Sequence, residues 1–358
     1  MRVLQLIDSL NAGGAERVAV NYANSLASRI QSSFICTTRD EGVLKGSISG
    51  KVRYLFLNKK STLDYLAIKE LSHFVKANKV DFIHAHGSSF FIATIIKILN
   101  SKTTLIWHEH YGNRNETSKA SKLILKICSY YFSCIITVNE SLKERSESKL
   151  STKDVYILPN YSVTNSLLKI TKLYGNEGKR IICLANLRPD KDHLNLLGAF
   201  SEINKRYSNW SLHLVGQFQK GDYYNSIKKF IAEHNLEQHI FIYGSCPDIS
   251  NILNQCDIGV LSSKSEGLPV ALLEYGLSKL PVVVTNVGDC NKVISNLNEG
   301  VLVEPKNHKT LSKAILELID DVDLRNVMAE NLHQKVASSF SESQGIEQLI
   351  NIYKTYQK

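Results

Sequence analysis

The chain has 358 residues, 43% hydrophobic and 22% charged, with 43 Lys+Arg against 34 Asp+Glu for a net charge of +9. That length exceeds one ordinary core and predicts two domains with a cleft between them, while the apolar content excludes a disordered chain. The longest apolar runs, such as 90–99 and 181–185, fall well short of the roughly 20 residues of a membrane-spanning helix.

Seven cysteines are scattered without a C-x-x-C pair, so neither a disulfide framework nor a zinc site is indicated and each reads as a small buried hydrophobe. Met1-Arg2-Val3-Leu4-Gln5-Leu6-Ile7-Asp8 meets an acid early and lacks a small-residue cleavage site, so it reads as a first strand rather than a signal peptide. The expected location is the cytoplasm. The positive charge is uneven: residues 1–170 hold 23 Lys+Arg against 13 Asp+Glu, and residues 171–358 hold 20 against 21. A basic first half suits phosphorylated substrates or an anionic lipid surface. No helix-turn-helix, zinc-finger or RNA-binding aromatic pattern supports a nucleic-acid partner.

Short β-rich runs alternate with longer amphipathic ones, the pattern of β-α-β units about a parallel sheet. In the first half, strands are predicted at 3–8, 33–38, 53–57, 82–85, 104–107, 135–138 and 155–158. A helix at 63–78 is predicted to carry Leu66, Leu71, Phe74 and Val75 on its apolar face. After a polar linker between 160 and 179, strands follow at 180–184, 211–215, 240–243, 258–261, 282–285 and 301–303, with helices at 194–207 and 223–234 among them. The organisation expected is α/β with two doubly wound Rossmann-like domains, 1–165 and 175–340, and a last helix in 341–358 crossing back onto the first.

Ligands of open parallel sheets sit beyond the carboxyl ends of the strands, and four strings stand there. Asn11-Ala12-Gly13-Gly14-Ala15-Glu16-Arg17 opens a helix with two glycines, which permit positive φ or close backbone approach to a bound group; a tight strand-to-helix turn asks for the same residues. His108-Glu109-His110-Tyr111 follows the fifth strand, and an imidazole there suits a sugar hydroxyl, although His84 and His86 compete for that role. Arg188-Pro189-Asp190-Lys191 places an arginine fork and a lysine point charge beside a stiff turn, either a diphosphate clamp or a solvated loop pair. Glu266-Gly267-Leu268-Pro269 leads into an apolar helix, with proline in its first turn and Glu274 eight residues after Glu266. A helix start of this kind binds an anion such as a diphosphate, while flanking carboxylates accept from hydroxyls. No G-x-G-x-x-G or Walker loop occurs, which argues against a dehydrogenase or a P-loop enzyme. Two Asp-x-Asp strings, 190–192 and 321–323, are not read as metal sites: the first lies in the cationic loop and the second suits a helix cap.

Together these strings resemble the retaining family 4 glycosyltransferases of the GT-B fold. The similarity extends to Asp81-Phe82-Ile83-His84-Ala85-His86, Leu158-Pro159-Asn160 and Val283-Val284-Thr285-Asn286-Val287-Gly288, so it spans nearly the whole chain. The resemblance implies a nucleoside-diphosphate sugar, UDP favoured, held mainly by the second domain. Arg188 and Lys191 would hold the diphosphate and Glu274 the ribose. Glu266 would stand by the transferred sugar, with Gly267, Leu268 and Pro269 contacting sugar or phosphate. Gly14 would let the first domain approach the phosphates, and His108 would lie on the sugar face. It also implies retention of configuration and no essential divalent metal. Asn291-Lys292 and Asn307 stand where family members often carry acids, which leaves the identity of the sugar open.

The first domain is expected to take a lipid-linked glycan acceptor in surface polysaccharide or glycolipid assembly. Within 118–132, Lys119, Lys122 and Lys126 flank Leu123, Ile127, Tyr130, Tyr131 and Phe132, which fits either peripheral contact with an anionic membrane at its cytoplasmic face or core packing with a basic edge. A sugar-nucleotide epimerase of related fold and a non-catalytic nucleotide-sugar-binding protein are the alternatives.

Overall fold

The computed structural model describes residues 1–110, 118–163 and 169–357. The expected boundary at residue 165, Tyr111 and the last residue lie outside them. The chain divides into two compact units, Met1–Tyr161 with Glu342–Lys358, and Ser162–Ser341.

The first unit carries β1 (Arg2–Ser9), α1 (Gly14–Leu26), β2 (Ser32–Asp40), β3 (Arg53–Phe56), α2 (Tyr65–Ala77), β4 (Phe82–His86), α3 (Phe90–Leu99), β5 (Thr104–Glu109), α4 (Lys119–Cys128), β6 (Cys134–Thr137), α5 (Glu140–Lys149) and β7 (Val155–Ile157). Its strands pair in parallel in the order β3-β2-β1-β4-β5-β6-β7. The second unit continues with β8 (Arg180–Leu184), α6 (His193–Arg206), β9 (Ser211–Val215), α7 (Asp222–Glu233), β10 (Ile240–Gly244), α8 (Ile249–Leu253), β11 (Ile258–Leu261), α9 (Val270–Leu277), β12 (Val282–Thr285), α10 (Cys290–Val293), β13 (Val301–Val303), α11 (His308–Asp320) and α12 (Val322–Ser339). Its strands are also parallel, in the order β10-β9-β8-β11-β12-β13. A final helix, α13 (Glu342–Thr355), belongs to the first unit.

Helices cover both faces of each sheet, which is why most of the strands read as nearly continuous Val/Ile/Leu runs. In the second unit Leu196, Phe200, Ile315 and Leu318 close one face, and Leu272, Leu273, Leu332 and Val336 close the other. In the first unit Leu71, Val75, Ile92 and Ile96 pack against Leu4, Ile83 and Leu105. The opposite face of that sheet is polar: Gln5, His84, His86 and His108 all lie on it, fully or almost fully buried, beneath α1 and α13. All seven cysteines are buried thiols.

Three expectations change. Leu66 is 74% exposed, because the buried row of α2 runs through Ala67, Leu71 and Val75 at a spacing of four and puts Leu66 a quarter-turn outside it. The segment expected as linker is tied into the second unit over its later part. Ile170 and Thr171 donate their amides to Asp248 (2.8 and 2.7 Å), and the Arg180 guanidinium donates to the carbonyls of Leu173, Tyr174 and Gly175. Side chains elsewhere satisfy that backbone, so its own sequence carries no periodicity. Finally, β5 runs two residues past its expected end, which places His108 inside the strand.

Candidate functional site

In the second unit the strand order reverses between the neighbours β8 and β11, and the space beyond their carboxyl ends is where such a sheet leaves room for a ligand. The loops leaving these two strands interlock. After β8, Leu187 N donates to Gln217 O and Gln217 N donates to Asn186 Oδ1 (both 2.9 Å). Gly216 lies against the Ala185 carbonyl, where a Cβ would collide. Arg188 then leads a single 3-10 turn, Pro189–Lys191. From the β11 loop, Ser262 Oγ donates to the carbonyls of Lys191 (2.9 Å) and Asp192 (3.2 Å), and Lys264 N donates to Asp190 O (2.8 Å).

This interlock brings Lys191 to Glu266. The ammonium donates to both carboxylate oxygens at 2.8 Å and stands 3.6 Å from Asp190, with side-chain exposures of only 16% for Lys191 and 11% for Glu266. Ser263 Oγ donates to Glu266 Oε1 at 2.6 Å. Burial pulls the Lys191 pKa down, but the charge and hydrogen bonds of Glu266 outweigh it and hold the ammonium above the usual lysine value. Arg188 is different: 53% exposed, with only a 4.0 Å approach to Asp190, it keeps a guanidinium available to an incoming anion. The 190–192 string is engaged by cations of its own chain, since Asp192 is buried and 3.1 Å from Lys264 Nζ. In the 321–323 string, Asp321 caps α12 by accepting from Leu324 N (2.8 Å).

Gly267, Leu268 and Pro269 are buried. Pro269 proves to be the extended N-cap residue of α9 (φ −70°, ψ 119°) and provides no side-chain cap, one position earlier than expected, because proline's fixed φ suits both places. The first amides of α9 therefore have no side chain of their own cap over them. Gly288 supports the turn from below: its φ is +56°, and a Cβ there would collide with the Glu266 and Gly267 carbonyls. Asp289 N donates to Gly267 O (2.8 Å), and Thr285 Oγ1 donates to Ser263 O (2.7 Å). Glu274 lies in the second turn of α9, partly buried. Two cations, a helix start and a carboxylate thus share one small region, an arrangement that stabilises a diphosphate.

In the first unit, Gly13 and Gly14 make the β1–α1 turn. Gly13 is the N-cap residue with φ −115°, Gly14 is the exposed first residue of the helix, and neither uses positive φ. The Glu16 carboxylate folds back over the helix start beside Gly13, so a Cβ there would meet only the end of a flexible side chain that can swing away.

His108 is fully buried, and its Nε2 has no hydrogen-bond partner. It lies under the Tyr22 ring (5.9 Å, 24°) and stacks on His110 at 4.0 Å. His110, at the carboxyl end of β5 and only partly buried, is the imidazole that the sequence reading passed over; its place just outside the strand was the available signal. Burial, then neighbouring imidazoles, depresses His86 and His108 well below the usual histidine pKa and His84 to about 3. Nitrogens of His84, His86 and His108 lie within 4.8 Å of one another; both nitrogens of His84 and of His86 and Nδ1 of His108 are engaged in hydrogen bonds among these rings, Tyr353, Gln5 and His110, while His108 Nε2 is buried without a partner. The three rings lie nearly parallel, with interplanar angles of 8°, 19° and 26°.

A concavity of the first unit, about 260 Å³, has an apolar wall including Phe90, Trp107 and Leu125, and carries Lys126, Arg145 and Lys149. Beside it the α4 segment leaves Leu123, Ile124, Ile127, Tyr130 and Tyr131 exposed, while Phe132 is buried.

Comparison with known proteins identifies the family. The Glycosyltransferase Family 4 profile matches residues 12–161, and the Glycosyl transferases group 1 profile matches residues 168–335. An uncharacterized glycosyltransferase of Haemophilus influenzae is 26% identical over 96% of this chain and 96% of its own. The Escherichia coli UDP-Gal:alpha-D-GlcNAc-diphosphoundecaprenol alpha-1,3-galactosyltransferase is 24% identical over 95% of this chain and 93% of its own. In fold the chain is similar to Anabaena HepE in complex with UDP and glucose, with a TM-score of 0.83 at 18% identity over 99% of this chain and 100% of that one. The two profiles between them take in most of the chain, and it belongs to glycosyltransferase family 4, with the two Rossmann-like α/β units of the GT-B fold.

Proposed function

We propose that the protein transfers a hexose or N-acetylhexosamine, with retention of configuration, from a UDP-sugar to a hydroxyl of a lipid-linked glycan in surface polysaccharide or glycolipid assembly. The observation that carries this reading is the Lys191–Glu266 pair at 2.8 Å, with the exposed Arg188 on the same turn and the start of α9 beside it. As the glycosidic bond of the donor breaks, negative charge gathers on the diphosphate. Arg188, Lys191 and the dipole of α9 stabilise that charge more than the ground state. The cations supply what a divalent ion would otherwise supply, so catalysis needs no metal. Glu274 takes the ribose hydroxyls, Gly14 lets backbone approach the phosphates, and Glu266 stands by the sugar. His108 lies on the sugar face, with the His110 ring stacked on it.

The diphosphoundecaprenol substrate of the Escherichia coli relative and the UDP and glucose of the Anabaena structure support acceptor and donor respectively. The cation-rich concavity of the first unit suits an acceptor carrying phosphate. The exposed apolar residues of α4, flanked by Lys119, Lys122 and Lys126, support peripheral contact with the cytoplasmic face of an anionic membrane. A thermal-shift panel of nucleoside diphosphates and nucleotide sugars tests the donor: at 100 times Kd a ligand stabilises by about 2.7 kcal/mol. UDP or a UDP-sugar should raise the Tm; a panel without any shift contradicts the reading.

A further inference from the structure

The concavity of the first unit lies between two helices that are held to the fold separately: α4 packs on α3, and α5 packs on β6 and β7. Leu125 and Lys126 line it from α4, and Leu142, Arg145, Lys149 and Leu150 line it from α5. Residues 142, 145 and 149 follow intervals of three and four, so they form one stripe of the helix. In an ordinary amphipathic helix that stripe is apolar, whereas here two of its three positions are cations and α5 buries only Leu142 and Ser146. From the sheet side β5 closes the concavity. Successive side chains of a strand face opposite ways, so Trp107 and Glu109 line it, while His108 between them lies on the other face, against Tyr22.

The charges of this space are unbalanced. Four cations, Lys122, Lys126, Arg145 and Lys149, meet one carboxylate, Glu109. The α5 acids Glu140 and Glu147 are turned to Lys143 (3.9 and 4.0 Å), and among the described residues Lys126, Arg145 and Lys149 form no ion pair. Arg145 and Lys149, four residues apart, also repel each other along the helix. Around these cations the wall of Phe90, Trp107 and Leu125 is apolar. It has a way out, because Leu123 lines the concavity and is also 59% exposed, and the exposed Ile127 follows it one turn on. A free anion leaves this wall wet, and a neutral lipid leaves the cations without a counter-charge. An amphiphile with a multiply charged head satisfies both. Three cations from two helices exceed what the single charge of a phosphodiester balances, which favours a diphosphate over an ordinary phospholipid.

We propose that the concavity between α4 and α5 binds a polyprenyl diphosphate, with the prenyl chain against Phe90, Trp107 and Leu125 and the diphosphate accepting hydrogen bonds from Lys126, Arg145 and Lys149. The chain leaves past Leu123 onto the exposed apolar side of α4. That this molecule is the lipid end of the glycan acceptor rests on the glycosyltransferase reading; that the concavity takes a prenyl diphosphate does not. The proposal also gives β5 a role: one strand lends alternate side chains to the lipid site and to the histidine patch on its other face.

The test is isothermal titration of farnesyl diphosphate into the full-length protein, beside inorganic diphosphate, farnesol and a short-chain phosphatidylglycerol. Farnesyl diphosphate should bind about 10-fold or more tightly than each of the other three, since only it brings both chain and charge. Arg145→Gln/Lys149→Gln should weaken it about 10-fold or more while keeping the wild-type Tm. Lys126→Gln, on the other helix, should weaken it independently and decides the matter if the double variant does not fold. Lys191→Ala, in the second unit, should bind it as the wild type does. Absence of binding by the wild type overturns the proposal, as does equal binding of phosphatidylglycerol, which would mark an anionic lipid surface only. Full affinity in the α4 and α5 variants together with a loss in Lys191→Ala also overturns it, because the probe would then sit in the donor site. No nucleotide is used, so failure here leaves the donor reading untouched, and a failed nucleotide panel leaves this result untouched.

Discussion

Lys191 Nζ is held at 2.8 Å from both oxygens of Glu266, nearly out of solvent. The carboxylate therefore holds the cation in place and also competes with a diphosphate for it. Removing the charge of Glu266 while keeping its shape separates these effects. Glu266→Gln is expected to bind UDP severalfold more tightly than wild type, since the competing anion is gone, yet to turn over at least 10-fold more slowly, on the scale of losing a preorganised group at the reacting centre. Calorimetric UDP affinity and single-turnover rates check the two signs, and weaker UDP binding in Glu266→Gln is incompatible with competition.

Arg188 offers a contrast because its side chain is 53% exposed. Arg188→Ala should leave the unfolding free energy within about 0.5 kcal/mol of wild type, as exposed substitutions do, while lowering turnover roughly 10²-fold, about 2.7 kcal/mol of transition-state stabilisation. Arg188→Lys should recover only part of this, since a point charge lacks the guanidinium fork. A large loss of stability together with the loss of rate would instead assign the residue to the scaffold.

Gly288 is the support on which the Glu266 turn rests, with φ +56° and the Glu266 and Gly267 carbonyls where a Cβ would go. Gly288→Ala should destabilise by more than about 1 kcal/mol and weaken UDP binding as well, because the backbone that must move carries Glu266. Denaturant titration with and without UDP measures both. An alanine variant of wild-type stability and affinity would show that the turn is not held from this side.

Buried neutral histidines give the stability a pH dependence. Burial, then Arg180, lowers His213 to about 3; burial, then Lys191, lowers His193 to about 4; burial, then His110, lowers His84 to about 3. An unfolded histidine titrates near 6.5, so above that pH neither state binds the proton and stability is complete. Below it the unfolded chain takes up protons that the native chain refuses, and stability falls progressively toward pH 3 to 4. Each such histidine contributes at most about 1.4 kcal/mol per pH unit in that window. Urea midpoints should therefore decline from pH 6.5 to 5, with a shallower slope in His213→Gln. A midpoint that rises over that range would mean these rings are not neutral in the native state.

Strand positions were legible to within a residue or two because a sheet covered on both faces has nearly continuous apolar strands, and Val282–Thr285 or Ile258–Leu261 admit no other reading. The Arg188 and Glu266 turns were legible for a related reason: they sit where two such runs stop. What the sequence hid is what depends on partners distant along the chain. Nothing near His108 announces that β5 continues through Glu109, or that Tyr353, some 250 residues later, covers the same patch. Leu66 looked inward by hydrophobicity alone, whereas the smaller Ala67 fits the row that packs. The linker expected from lost periodicity around Thr171 is fixed by Asp248 and Gln255, residues whose bond to it no local pattern records.

The central claim is that Lys191 and the turn around it grip the diphosphate of the donor, and isothermal titration of UDP into the wild type and Lys191→Ala tests it most directly. The account predicts measurable binding by the wild type and an affinity at least 10-fold weaker in the variant, about 1.4 kcal/mol. UDP that fails to bind the wild type, or that binds Lys191→Ala equally well, would contradict it.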